Sequence, residues 1–310
     1  MSWPIYTTTT TPETARPRLP SSPAGEPTSE MARSYRRKTE RSPGTDCGLS
    51  HFDSNQVINE RPMAKVQTVI RDVRGEEDRY TLDSHGFQFH DHSSGYGGGD
   101  TAAWRDEARV RAEYYPECEQ LYKDVTGASR VRVFGHRVRR GPTNWHSLGP
   151  GNADRRGPVH GAHVDQSYDG AVTELRFYLP TEADELLKRR FQIINIWRPI
   201  TTIVKDPLAV ASSQSIPDED LLPAEVRLPS HTKETWTVLS PNRPNRPAGL
   251  PRHEWFFKYR QRPDEVLLIK CFDSEETVAR RAIHAAFINP ETADMDGCRE
   301  SIELRALIFY

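Results

Sequence analysis

From Arg130 onward the chain is a succession of short alternating segments broken by proline, glycine and asparagine, and this spacing limits the fold more than any other feature. RVRVFGHRV, VHGAHVD, VTELRFYL, FQIINIW, ETWTVL, HEWFFKY, DEVLLIKCF, AIHAAF and SIELRALIFY each suit a strand of ordinary length. Helical patterns are few. Asp100 or Thr101 caps AAWRDEARVRAEYY; a second helix opens at Pro116, where a first turn tolerates proline, and ends at Gly127, with Leu121 and Val125 as its apolar stripe. One more helix is predicted over 182–190, capped by Thr181. A βαβ chain would alternate strands and helices throughout, so the pattern predicts a sandwich, jelly roll or barrel with a helical layer laid against it.

Upstream, VQTVIRDV from Val66 alternates as a half-buried strand, and 79–89 reads as a second extended segment. The glycines at 95 and 97–99 follow no apolar strand and precede no GK[ST], so they predict a connector and not a phosphate loop. Residues 1–55 hold a threonine run, several prolines and few apolar side chains, too few to offset the entropy of ordering them. We read 1–55 as a disordered tail and 56–310 as one β domain with N-terminal strands and helices. Glu13, Glu26, Glu30 and Glu40 argue against a transit peptide, and no apolar run is long enough for a membrane span.

A formal charge of −2, from 42 basic and 44 acidic residues, gives no field that would gather nucleic acid or an anionic membrane. The four cysteines are far apart and include no CxxC pair, which speaks against structural zinc and dense disulfides. A cytoplasmic enzyme with a small-molecule partner is the expectation; the oligomeric state is left open.

The chemistry lies in PVHGAHVDQ. On a strand, positions i and i+2 share a face, so His163 and Asp165 present an imidazole and a carboxylate to one point. His284 lies far downstream in the apolar segment AIHAAF, and Arg299 and Ser301 open the last strand. Two histidines and one carboxylate suit Fe(II), with open positions for a chelating cosubstrate and O2, and a strand-borne arginine offers a socket for a dicarboxylate. Arg299 and Arg305 share a face and compete for that role. Asn195 is a further candidate for hydrogen bonding the cosubstrate, and Trp197 is either pocket wall or core. His160 is out of register with Asp165 and is expected behind the ligands or at the surface; His90 and His92 are expected in a loop or at a pocket rim.

HVDQS at 163–167, FQIINIWRP at 191–199, DPLAV at 206–210, DEVLLIKCFDS at 264–274, AIHAAF around His284 and RESIELRALIFY at 299–310 together resemble the fungal hydroxylase/desaturase family typified by an aspergillic acid pathway enzyme. The resemblance covers residues 66–310. It implies a double-stranded β-helix (jelly roll, cupin-like) and a non-haem Fe(II)- and 2-oxoglutarate-dependent dioxygenase that uses O2 to hydroxylate or desaturate a secondary-metabolite intermediate. His163, Asp165 and His284 would be its metal ligands; Arg299, Ser301, Arg305 and Asn195 would be its cosubstrate-binding residues. Arg299 stands further from the distal histidine than is usual in such enzymes, a difference that the loop 289–298 absorbs.

Two rivals remain at this level. S-adenosylmethionine-dependent methyl transfer needs a glycine-rich turn between a strand and a helix, and none is found. A non-catalytic cupin-like binding protein would keep the barrel without turnover.

Overall fold

A computed structural model of the chain describes residues 2–9, 56–58, 62–228 and 230–310. Its strands begin with β1 (Ser2–Thr8), β2 (Met63–Asp72), β3 (Phe87–Asp91) and β4 (Arg130–Arg139). Next come β5 (His163–Val164), β6 (Phe191–Pro199), β7 (Leu208–Ala211), β8 (Leu221–Arg227) and β9 (Thr232–Val238). The last are β10 (Trp255–Phe257), β11 (Glu265–Asp273), β12 (Ile283–Ala286) and β13 (Ser301–Phe309). They form an eight-stranded sheet, β1-β2-β10-β7-β12-β5-β9-β8, and a five-stranded sheet, β3-β11-β6-β13-β4. This is a double-stranded β-helix with a helical layer.

The central strands of the smaller sheet are buried on both faces. Every residue of β6 and β11 is buried, although the inward and outward sets differ in kind. Ile194, Ile196, Leu304 and Ile308 face outward onto Cys118, Leu121 and Tyr122 of α1 (Tyr115–Thr126). The Tyr122 hydroxyl donates to the Ile194 carbonyl at 2.8 Å and accepts from the Ile196 amide at 3.0 Å, which locks the helix to the sheet. Gly127 ends α1 at φ 70°, a left-handed position that favours glycine. The inward set, Asn195, Trp197, Glu303 and Arg305, is polar or aromatic. These residues share one face because Asn195 pairs with Arg305 and Trp197 with Glu303.

Three expectations need correcting. VTELRFYL is not a strand; it belongs to α2 (Tyr168–Tyr178). Ser167 caps this helix by accepting from the Gly170 amide at 2.9 Å, and Ala171, Leu175 and Leu179, spaced four apart, pack into the core. Gly170 is required there, because a Cβ would overlap the Glu234 carbonyl. The helix expected over 182–190 shrinks to Ala183–Leu186, and Thr181 does not cap it.

The third correction concerns the tail. Ser2–Thr8 pairs along its length with β2, antiparallel, and Ile5 is wholly buried. Trp3 packs edge-on against Phe257, so the first residues belong to the core. Pro4 is tolerated because β1 is an edge strand, and β-branched threonines favour extended backbone. Residues 10–55, on which the rest of the tail expectation falls, lie outside the described residues. Among the described residues no helix is long and apolar enough to cross a membrane.

Candidate metal centre

β5 is only two residues long, yet it is held on both sides: His163 pairs with His284 of β12 and with Thr237 of β9. Direct cross-strand pairing puts the two imidazoles on one face with ring centroids 4.4 Å apart. Asp165, two residues on, reaches the same point, and one donor atom from each of His163, Asp165 and His284 lies within 4.8 Å of the others.

The protonation states suit a cation. The His163 Nδ1 donates to the Gly161 carbonyl at 2.7 Å, and the His284 Nδ1 faces the Ala282 carbonyl more loosely at 3.5 Å. A carbonyl only accepts, so each Nδ1 carries the proton and each Nε2 lone pair is left for a ligand. The buried Nε2 of His284 has no protein partner. Burial, with His163 beside it, pushes the His284 pKa down to about 4 and keeps the ring neutral. Burial works against the Asp165 carboxylate, but Arg305, followed by His163, holds it well below the usual range.

Asp165 is steered from behind. Its Oδ2 accepts from Asn195 Nδ2 and lies 2.9 Å from Arg305 Nε, whereas Oδ1 lies 3.5 Å from His163 Nε2. One oxygen is thus held and the other is directed at the cluster. Asn195 spends one donor on Asp165, which leaves the second Nδ2 hydrogen and an unpartnered Oδ1 facing the interior. Arg305 also donates to Glu303 at 2.6 Å, so both of its sides are occupied by carboxylates.

Arg299 is placed differently. It is 4% exposed, its Nη1 donates to the Asp206 carbonyl at 2.9 Å, and its Nε has no partner. The guanidinium sits 5.4 Å from the Trp197 ring, and Ser301, on the same face, has a buried hydroxyl without a partner. Burial and the nearby Arg139 push the Arg299 pKa down to about 9. A buried cation left with spare donors is costly unless an anion completes it. Trp197 packs in an apolar cluster with Phe89 and Leu267 and also lies against this arginine.

His160 lies behind the ligands, its Nε2 3.4 Å from Asp206 Oδ1. His92 meets Arg198 at 2.6 Å on the outer face, away from the cluster. The sequence reading missed Arg137, Arg139, Arg156 and Lys233, whose charges all reach this interior. Arg137 lies on the strand candidate RVRVFGHRV and Arg139 directly follows it, so a signal was present for those two.

The donor set fits Fe(II), and Arg299 with Ser301 fits the far end of a dicarboxylate. The family model described as Oxidoreductase/YMDC permease-like domain matches residues 35–309. The hydroxylase/desaturase efuI of Hormonema carpetanum is 34% identical over 86% of this chain and 91% of its own length. The chain belongs to this family of fungal oxygenases. It is also 31% identical to the alpha-ketoglutarate-dependent dioxygenase tstK of Talaromyces stipitatus, over 78% of this chain and 84% of tstK. The solved iron- and alpha-ketoglutarate-dependent endoperoxidase NvfI superposes with a TM-score of 0.70 at 25% identity, over 87% of this chain and 92% of NvfI. The enzyme is an Fe(II)- and 2-oxoglutarate-dependent oxygenase whose oxidant is O2.

Proposed function

We propose that His163, Asp165 and His284 hold the iron, that Arg299 and Ser301 receive the distal carboxylate of 2-oxoglutarate, and that the chain hydroxylates or desaturates a small molecule of secondary metabolism in the cytoplasm. The observation that carries this reading is the convergence of three ligand atoms within 4.8 Å around a buried, unpartnered His284 Nε2. The names of efuI and tstK support the type of reaction.

When bound, iron and 2-oxoglutarate supply the oxidising power, consuming O2, releasing succinate and CO2 and breaking a substrate C–H bond. The chain supplies order and dryness. The Gly161 and Ala282 carbonyls set the histidine tautomers; Asn195 and Arg305 hold Asp165 by one oxygen so that the other is presented to the metal. Asn195 and Arg305 thus position a ligand and leave the cosubstrate to Arg299. Trp197 stacks over that arginine and closes the interior on its side.

The test is an anaerobic titration of the protein with Fe(II) and 2-oxoglutarate, followed by the weak visible charge-transfer band of the chelate. His163→Ala and Asp165→Ala should lose the band while keeping native circular dichroism, and His160→Ala should keep both. A normal band in His163→Ala together with its loss in His160→Ala would sink the ligand assignment.

A further inference from the structure

Between β4 and the β8–β9 hairpin, where each sheet ends in an edge strand, a group of cations faces the iron cluster that the reading above does not use. Arg137 and Arg139 of β4 pair with Glu303 and Ser301 of β13, so they project onto the inward face that carries Arg305. From the other sheet, Lys233 of β9 is near enough for its charge to act on Asp165 and Arg305. Arg156 stands close to Arg137 and Arg139 and feels both charges. All four are half-buried.

Their own bonds do not neutralise them. Arg139 donates to the Gly157 carbonyl at 3.1 Å and Arg156 to the Ala153 carbonyl at 3.0 Å, both uncharged acceptors, with Asp154 the nearest acidic influence on Arg156. Among the described residues, Arg137, Arg139 and Lys233 form no ion pair with any carboxylate, in contrast to Arg305, which has two. Burial lowers the pKa of Arg137, Arg139 and Lys233, and the nearby carboxylates, Glu303 for the two arginines and Asp165 for the lysine, offset it only in part. Loading the site would add no net charge, because the two charges of Fe(II) would offset the two carboxylates of 2-oxoglutarate. Beside Arg305 the strand carries Gly135, where a Cβ would meet nothing within 4 Å, so there is room next to these cations.

We propose that Arg137, Arg139 and Lys233, with Arg156 adjoining them, recognise a carboxylate on the substrate, and that the enzyme therefore oxidises organic acids. A cationic mouth of this kind holds an acid by charge-assisted hydrogen bonds and fixes which C–H bond reaches the metal. The inference rests on the iron and 2-oxoglutarate reading of the same interior.

The experiment uses the full-length protein loaded with Fe(II) and 2-oxoglutarate without O2, titrated with 2-naphthoate or with its neutral counterpart 2-naphthamide. Binding is read from the fluorescence of the probe and from displacement of the chelate band. Wild type should prefer the acid by about tenfold or more, as expected for a charge-assisted contact. Arg137→Gln and Lys233→Gln should each reduce that preference while leaving the chelate band and its 2-oxoglutarate dependence unchanged. Acid binding no tighter than amide binding, including binding of neither, overturns the proposal. So does a preference that survives in the Arg137→Gln/Lys233→Gln double variant. Absence of the chelate band in wild type is a different failure, which removes the iron reading and this inference with it.

Discussion

Two buried charge clusters in this molecule are built on opposite plans. Asp220 is wholly buried at the start of β8, with Arg243 Nη1 at 2.5 Å, Arg246 Nη2 at 2.8 Å and His253 Nε2 at 2.7 Å. Burial would raise its pKa, but hydrogen bonds from Arg246, His253 and Arg243 outweigh it and bring the value down to about 2. Around the metal centre, by contrast, Arg299 Nε, Ser301 Oγ and His284 Nε2 are all buried and unpartnered. A cluster whose donors and acceptors are matched within the chain is scaffold. One that leaves them open has been shaped by groups that arrive later, since folding alone gives no return for an unsatisfied buried polar atom.

That contrast can be broken by exchanging effects. His284→Ala removes one of three ligands with no spare, so iron-dependent turnover should vanish while the melting temperature stays close to wild type. A variant that unfolds instead would place His284 in the scaffold. Asp220→Ala should do the reverse, costing about 3–5 kcal/mol of stability because it strands buried cations. Its chelate band at low temperature should match wild type; a changed 2-oxoglutarate requirement would show that the two clusters are coupled.

Arg299→Ala should raise the 2-oxoglutarate requirement by one to two orders of magnitude, about 1.5–3 kcal/mol, with iron affinity little changed. Arg305→Ala should act on iron affinity first, because it frees Asp165. If the two variants exchange phenotypes, Arg305 is the cosubstrate arginine. The smallest effect is the response to acid. Burial opposes ionisation of Glu265, but hydrogen bonds led by Arg74 bring it down to about 2, as in Asp220. Both carboxylates have pKa values depressed in the fold, so their contribution is complete above the unfolded values near 4 and is lost as pH falls towards 2, on the order of 2 kcal/mol for each fully buried group. Chemical denaturation between pH 5 and pH 2 should show that decline, and Glu265→Gln should flatten part of it. An unchanged slope in that variant would remove Glu265 from the account.

Much of the site could be read without coordinates because its logic is local. His163 and Asp165 share a face through the two-residue period of a strand, and the apolar setting of His284 and the position of Arg299 and Ser301 at the start of the last strand survive in linear order. The same period exposed the polar inward set of β6 and β13. VTELRFYL misled for a local reason too: Val, Phe and Tyr favour strands, and the decisive features, the Ser167 cap and the four-residue spacing of Ala171, Leu175 and Leu179, compete with that composition. At the N-terminus Ser2–Thr8 was read as part of a disordered tail, although Ile5, Thr7 and Thr8 are β-branched and suit an edge strand once β2 is present to pair with it.

The sequence by itself pointed to the β architecture and offered His163, Asp165 and His284 as candidate ligands and Arg299 and Arg305 as candidates for a cosubstrate socket, since strand period and linear order are local properties. Only the tertiary structure decided what each arginine faces. Arg299 and Arg305 are equivalent by period, yet cross-strand register puts Arg305 against Asp165 and Glu303 and leaves Arg299 over Trp197 without a carboxylate in bonding contact. The same register sets Arg137 and Arg139 on the face of Arg305, and Lys233 from the other sheet acts on that same arginine. Charge pairing depends on distances between chain segments remote in sequence, and a single sequence carries no record of those distances until the strands are in register.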